Sequence, residues 1–437
     1  RSTPKPSSAA SDVYKRQVEY LAFLDMHLSL LLLKKLVEVF CSCLFLVYVL
    51  LITIYDSISI KHNGDLDYHK MFNIHKKILT LITLLLTPFL WSDVSKLNVP
   101  DGFVIEEYIT DIDNPRQMVE GESFLFVGTR SAGQVYAINK SNLSDVKVIL
   151  SELDMPTGVA LKDGDLYIAE TDTIHVLENV EKKLLSEEKL ISKIFFDDLP
   201  RKNMWNPLKK SWHGWKWIDF GPDGALYISE GVPCNVCDED DQRYGTILRL
   251  NNGVLDIFAD GVRNSVGFDW HPETKEMYFT DNGRDWMGDD IPPCELNRVS
   301  AKGDHFGFPY VHGKNIDDDA FKKPEDFKYR EPVWEFQAHT APLGIKFYSG
   351  ESFPKYFKNG AFVAQHGSWN RSKKVGYKVL FMKFKDGEVI SSETFIDGWL
   401  EGEESWGTPA TPLFLKDGTM LISDDTSDSI FRVAYQG

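Results

Sequence analysis

The stretch SWHGWKWIDFGPDGALYISEG, residues 211–231, decides the fold. Its β-formers alternate on either side of the turn GPDG, so WKWIDF and ALYISE read as the two strands of an antiparallel hairpin. The same arrangement recurs along the chain. DNPRQMVEGESFLFVGT (113–129) and MPTGVALKDGDLYIAET (155–171) precede it. RNSVGFDWHPETKEMYFTDNG (263–283), APLGIKFYSGESFPKYFKNGAFVAQHG (341–367) and GTPATPLFLKDGTMLISDD (407–425) follow it. Each hairpin is succeeded by a third strand: GQVYAIN, TIHVLEN, GTILRLN, ELNRVS, YKVLFMKF and SIFRVAY. Six units at irregular spacing, with long insertions, predict an all-β chain. The expected architecture is a six-bladed β-propeller with four-stranded antiparallel blades over residues 100–437. GFVIEEYI (102–109) can supply the outer strand that closes the ring on the last blade, leaving no long open sheet edge.

The repeat also orders one face of the disc. Adjacent strands are antiparallel, so residues just before a first strand share a face with residues just after a second. Thr129, Glu170, Glu230, Asp281, His366 and Asp424 follow second strands, while His213, Arg263 and Asn264 precede first strands. All are expected at one mouth of the central channel. His213 stands among Trp212, Trp215 and Trp217, where a lone histidine is usually a packed residue. An Arg–Asn pair and a ring of carboxylates on the same face make it a candidate functional residue rather than a packed one. His339 and His366 share that face and could take its place, whereas His175 and His271 read as strand or turn residues. DEDD (238–241) reads as a solvated loop, with a second calcium site as the sharper alternative.

Charge narrows the partners. The 437 residues carry a net charge of −17 and no long Lys/Arg block, which disfavours nucleic acid and anionic membrane surfaces. Residues 1–70 have the character of a non-native leader, although 36–55 is apolar enough to span a bilayer despite Glu38. A membrane association is expected only if 36–55 is a real anchor. MFNIHKKILTLITLLLTPFLWS (71–92) has the basic start, apolar core and polar end of a signal peptide. A periplasmic or secreted protein is therefore expected. In that setting the CNVC pair Cys234 and Cys237 reads as a local disulfide, because no second metal-ligating pair completes a zinc set. Cys294 stands alone, and no CxxC is followed by His, so no haem attachment site is present.

GVRNSVGFDWHP (261–272), DNGRDWMGDDIPPCELNRV (281–299), HGSWNRSKKVGYKV (366–379) and the His213 hairpin together resemble the glucose/sorbosone dehydrogenases. These are six-bladed propellers that use pyrroloquinoline quinone (PQQ). The similarity spans roughly residues 100–436 and is nearest the sorbosone-dehydrogenase-like branch, which has CNVC and HGSWNR motifs. The resemblance implies His213 as general base, and Arg263, Asn264, Asn282, Arg371 and Lys378 as contacts to the quinone. It implies Ca²⁺ on backbone oxygens of the loop holding Gly283 and Arg284. Two departures stand in that region: Gly283–Arg284 replaces the Gly-Pro of the glucose enzymes, and Cys294 replaces an acid.

The residue types suit the implied chemistry. A neutral imidazole can take a hydroxyl proton while hydride leaves carbon. The quinone would carry the two-electron chemistry, cations would meet its carboxylates, and a hard Ca²⁺ would polarise it. Trp215, Trp217 or Trp369 could stack on a flat cofactor. The expected substrate is a sugar or sugar aldehyde, with electrons leaving to a separate acceptor such as a cytochrome or quinone. A calcium-dependent propeller lactonase and a non-catalytic binding propeller are the competing readings.

Overall fold

The computed structural model describes residues 93–200 and 212–437. The expectations placed on 1–70, 36–55 and 71–92 lie outside these residues. No helix among the described residues is long and apolar enough to cross a membrane.

Six antiparallel sheets follow one another in chain order, and their second strands are the deepest part of the molecule. Blade 1 is built from Pro115–Glu120, Phe124–Thr129, Val135–Asn139 and Val146–Leu150. Every residue of Phe124–Thr129 is buried, while Val146–Leu150 is largely open to solvent. The cause is position. A second strand is covered on both faces by neighbouring blades, so FLFVGT reads as an apolar run rather than an alternation. Blade 2 has its hairpin between Gly158–Lys162 and Asp165–Ala169. Asp163 and Gly164 both take positive φ there, 53° and 85°, as a tight two-residue hairpin turn requires.

Blade 3 (first strands Ile218–Phe220 and Leu226–Glu230) carries an extra strand. Asp304–His305, from the insertion inside blade 4, pairs parallel with the outer strand Val254–Asp260. Blade 4 opens with Phe268–Trp270 and Met277–Asp281, and blade 5 with Pro342–Phe347 and Ala361–Gln365. Blade 6 runs through Pro409–Phe414, Met420–Asp424 and Ser429–Tyr435.

The ring closes as expected. Phe103–Ile109 pairs antiparallel with Ser429–Tyr435, setting Phe103 opposite Tyr435. Phe103 then enters an aromatic cluster, with ring centroids 4.8 Å from Phe353, 5.5 Å from Phe357 and 5.0 Å from Phe395. Burying such a side chain is worth about 1.5–3 kcal/mol, and each favourable ring pair adds about 0.5–1.5 kcal/mol. The first and last strands of the propeller are thus joined by apolar contact as well as by hydrogen bonds.

Candidate functional site

The antiparallel pairing puts first-strand starts beside second-strand ends on one face: Pro115 faces Thr129, Pro342 faces Gln365 and Pro409 faces Asp424. The carboxylates at those ends mostly hold backbone. Asp281 accepts hydrogen bonds from the amides of Arg263 (2.8 Å) and Asn264 (2.6 Å). Asp424 does the same for Thr408 (2.9 Å), Thr426 (3.1 Å) and Ser427 (3.0 Å). Glu230 pairs with the equally buried Lys216 at 2.9 Å, and burial pushes its carboxyl up to about 7. The acids therefore latch the loops that precede the inner strands. Their convergence on one face is as the hairpin geometry requires, but their work there is structural.

His213 lies inside this frame. It is 7% exposed, with Trp212 and Trp215 edge-on to it at centroid distances of 6.4 and 6.3 Å. Its Nδ1 is 2.8 Å from the Val232 carbonyl, which can only accept. Nδ1 therefore carries the proton, and in the neutral ring Nε2 is left as an acceptor. Among the described residues nothing hydrogen-bonds Nε2. Burial, and then the Arg263 charge, hold the imidazole well below its usual 6.5, with the Val232 bond opposing them. A β-carbon at Gly231 would stand 2.5 Å from His213 Cβ and 3.3 Å from Asn264 Oδ1, so only glycine permits this approach of base and asparagine.

Arg263, Asn264 and Asn282 interlock. Arg263 Nη1 donates to the Asn282 carbonyl (3.0 Å), and Asn282 donates to the Asn264 carbonyl from its amide (3.2 Å) and from Nδ2 (2.9 Å). Asn264 Oδ1 and Asn282 Oδ1 are buried with no partner among the described residues. Orphaned oxygens of this kind suit a donor or a hard cation. The Gly283 and Arg284 carbonyls likewise accept no hydrogen bond from a described residue. The Arg284 side chain is turned elsewhere, into an ion pair with Asp318, which His312 also holds at 3.0 Å.

The cations are less free than the sequence suggests. Arg263 directs Nε to the Asn235 carbonyl (2.8 Å) and Nη2 to Asn235 Oδ1 (2.9 Å) and Asp285 (3.1 Å). With the Asn282 bond this leaves one Nη1 N–H of the guanidinium. Arg371 ties the blade 5 loop to blade 4 through the Asp289 carbonyl and Asp290 (3.1 Å). Lys378 opens the third strand of blade 5 opposite Gln365 and is half-buried. Of the tryptophans, Trp217 packs in the core between blades 3 and 4. Trp369 is 57% exposed and joins Trp286 (6.3 Å), which in turn meets Trp212 (6.0 Å), as an aromatic rim.

Asn235 is a residue that sequence reasoning missed. Besides Arg263 it holds Asp285, accepting from its amide at 2.8 Å and donating to its carbonyl at 3.1 Å. It sits between Cys234 and Cys237, which are disulfide-bonded with Cα atoms 6.2 Å apart. The CNVC spacing was the available signal, because it marks a constrained turn. Cys294 is a free, buried thiol whose pKa burial raises. The alternative bases are engaged differently. His339 directs Nε2 to the Gly288 carbonyl (2.8 Å) and buries Nδ1, while His366 directs Nε2 to Asp425 (2.7 Å). In the DEDD loop, Asp241 is taken up by Arg243 at 2.7 Å.

A family profile described as TrAA12-like matches residues 293–398. An uncharacterized protein of Borreliella burgdorferi is 35% identical over 385 residues, covering 84% of this chain and 99% of that one. Among solved structures, a Trichoderma reesei protein of Carbohydrate-Active Enzymes Family AA12, in iodide and calcium forms, superposes with a TM-score of 0.65 in each. Identity is 18% and 17%, over 80% of this chain and 100% and 99% of those chains. The holo form of the pyranose dehydrogenase PQQ domain from Coprinopsis cinerea has a TM-score of 0.62 at 15% identity, over 79% of this chain and 98% of that one. At these identities the likeness is one of fold. The six-bladed propeller expected from the hairpin repeat is the fold this chain shares with these structures.

Proposed function

We propose, from its sequence motifs and its propeller, that this chain, which belongs to one family with the Borreliella burgdorferi protein, is a quinone-dependent dehydrogenase of sugars or sugar aldehydes. The observation that carries the reading is the state of His213: a buried, neutral imidazole with Nδ1–H fixed on a carbonyl and Nε2 open to accept. A hydroxyl proton is transferred to Nε2, and the imidazolium so formed keeps its bond to Val232. Trp212 and Trp215 stand edge-on to the ring, limit water around it and hold its plane. Burial, and then the Arg263 charge, keep it deprotonated before the reaction.

The donor set fits PQQ and Ca²⁺ on this chain's own terms. The remaining Arg263 N–H, Lys378 and Arg371 are the groups for carboxylates, with Arg371 requiring release from Asp289 and Asp290. Asn264 Oδ1, Asn282 Oδ1 and the Gly283 and Arg284 carbonyls are the oxygens for a hard cation. When bound, the quinone would accept the two electrons as hydride. Reduced cofactor would pass electrons to a separate acceptor. The Cys234–Cys237 disulfide favours an oxidising compartment, hence export.

The test is reconstitution: the full chain, loaded with PQQ and Ca²⁺, is screened against aldoses and sugar aldehydes with an artificial electron acceptor. Turnover that needs both additions is expected. A chain that binds PQQ but oxidises no sugar, or that hydrolyses lactones without it, would refute the reading.

A further inference from the structure

Trp215, which flanks His213, is also flanked by an arginine with no ion-pair partner among the described residues. Arg130 follows the second strand of blade 1, and its Cζ lies 4.6 Å from the centroid of the Trp215 ring. Trp215 packs on Val266, Leu343 and Ala410, at the heads of the inner strands of blades 4, 5 and 6, so it covers the central channel. The guanidinium and the imidazole therefore share one tryptophan, at a separation of at most about 11 Å. Among the described residues no carboxylate pairs with Arg130 and no acceptor bonds its side chain. The segment 201–211, which leads into Trp212, contains no Asp or Glu that could do so.

Asp425, the carboxylate whose charge reaches Arg130, is already taken. Asp425 pairs with Arg116 at 2.5 Å, and also accepts from Thr408 (2.7 Å) and meets His366 (2.7 Å). Arg116 and Arg130 thus both feel the charge of Asp425, and only Arg116 is paired with it. Burial, reinforced by Arg116, lowers the Arg130 pKa to about 10, the direction expected of a cation awaiting an anion. The Arg263–Asn264–Asn282 group lies toward blade 4, whereas Arg130 belongs to blade 1. A substrate with its reacting hydroxyl at His213 Nε2 has Arg130 within reach of its far end, past Trp215.

We infer that Arg130 is a specificity-determining residue that selects an anionic sugar, one bearing a carboxylate or phosphate away from the oxidised carbon. This rests on the dehydrogenase reading for its chemistry, but not for its charge. Bidentate recognition of either anion suits a planar guanidinium backed by an aromatic ring.

Two measurements test it. Calorimetric binding of D-glucuronate, D-glucose 6-phosphate, D-glucose and inorganic phosphate to the full chain needs no turnover. Steady-state kcat/KM for the three sugars, with PQQ, Ca²⁺ and an artificial acceptor, reads the discrimination. An anionic sugar should bind and react better than glucose, and the two acids tell carboxylate from phosphate. In Arg130→Gln the ratio of anionic to neutral kcat/KM should fall about 10–100-fold, as loss of a charge-assisted contact predicts, and Arg130→Lys should keep part of it. Anionic sugars that bind through Arg130 but are never oxidised would leave the inference standing and sink the dehydrogenase reading. Glucose oxidised as well as the acids, with the ratio unmoved in Arg130→Gln, would do the reverse. Loss of PQQ affinity in Arg130→Gln with an unchanged ratio would assign the arginine to the cofactor and overturn the inference.

Discussion

Two histidines stand at the mouth of the channel, His213 buried and His366 partly so, and their partners differ. His213 gives Nδ1–H to a backbone carbonyl and has the Arg263 charge beside it. His366 directs Nε2 to Asp425, a carboxylate already held by Arg116 and Thr408. Burial depresses both imidazoles, but at His366 the Asp425 carboxylate opposes the shift. His366 thereby ties blade 5 to blades 6 and 1, while His213 keeps a nitrogen for an incoming proton next to Asn264. Residue type and face are shared, so the hydrogen-bond partner sets the role.

The largest expected effect separates the two. His213→Ala should lower kcat by about 10²–10⁴-fold, the usual worth of a positioned base, with PQQ affinity and Tm little changed. His366→Ala should instead cost stability, about 1–3 kcal/mol for a broken buried network, read as a lower Tm. Steady-state rates and thermal melts on both variants would break the comparison if the outcomes were exchanged. A smaller effect is expected one residue away from the chemistry. Asn235→Ala removes the Oδ1 bond to Arg263 and both side-chain bonds to Asp285, and should raise the PQQ Kd about 10-fold. Saturating PQQ should restore part of the rate, and Cys234→Ser with Cys237→Ser should act in the same direction. An unchanged PQQ Kd would show that Arg263 does not need this clamp.

The smallest effect concerns stability. Burial, and then the facing Asp281, raise the Glu295 carboxyl above its ordinary 4.5. A raised acid favours the fold in its protonated form. That contribution is complete below 4.5 and is lost as pH rises through the folded value. Glu295→Gln keeps the neutral form at every pH, so wild type should lose about 1–3 °C of Tm relative to the variant on going from pH 4.5 to 8. A difference in Tm that does not change with pH would contradict the account of this pair.

The hairpins were readable because turns such as Asp163–Gly164 are local, and a local signal needs no partner from elsewhere in the chain. The extra parallel strand Asp304–His305 was not, since two residues from an insertion carry no strand pattern of their own. At the site, the face shared by His213, Arg263 and Asn264 followed from strand direction alone. What each group bonds did not follow. The carboxylate of Asp281 was readable as a position, but its hold on the Arg263 and Asn264 amides depends on a loop conformation that residue types do not encode. Asn235 and Arg130 escaped for the same reason: one acts through a disulfide-closed turn, and the other is defined by lacking a carboxylate partner among the described residues.

The pH profile of kcat/KM tests the central claim most directly, because its acid limb reports the base in the free enzyme. With PQQ and Ca²⁺ saturating, wild type should show a limb well below 6.5, the side on which burial and Arg263 place His213. The residual activity of His213→Ala should lack it. A limb at or above 6.5, or one that survives in His213→Ala, would mean that the proton goes to another group.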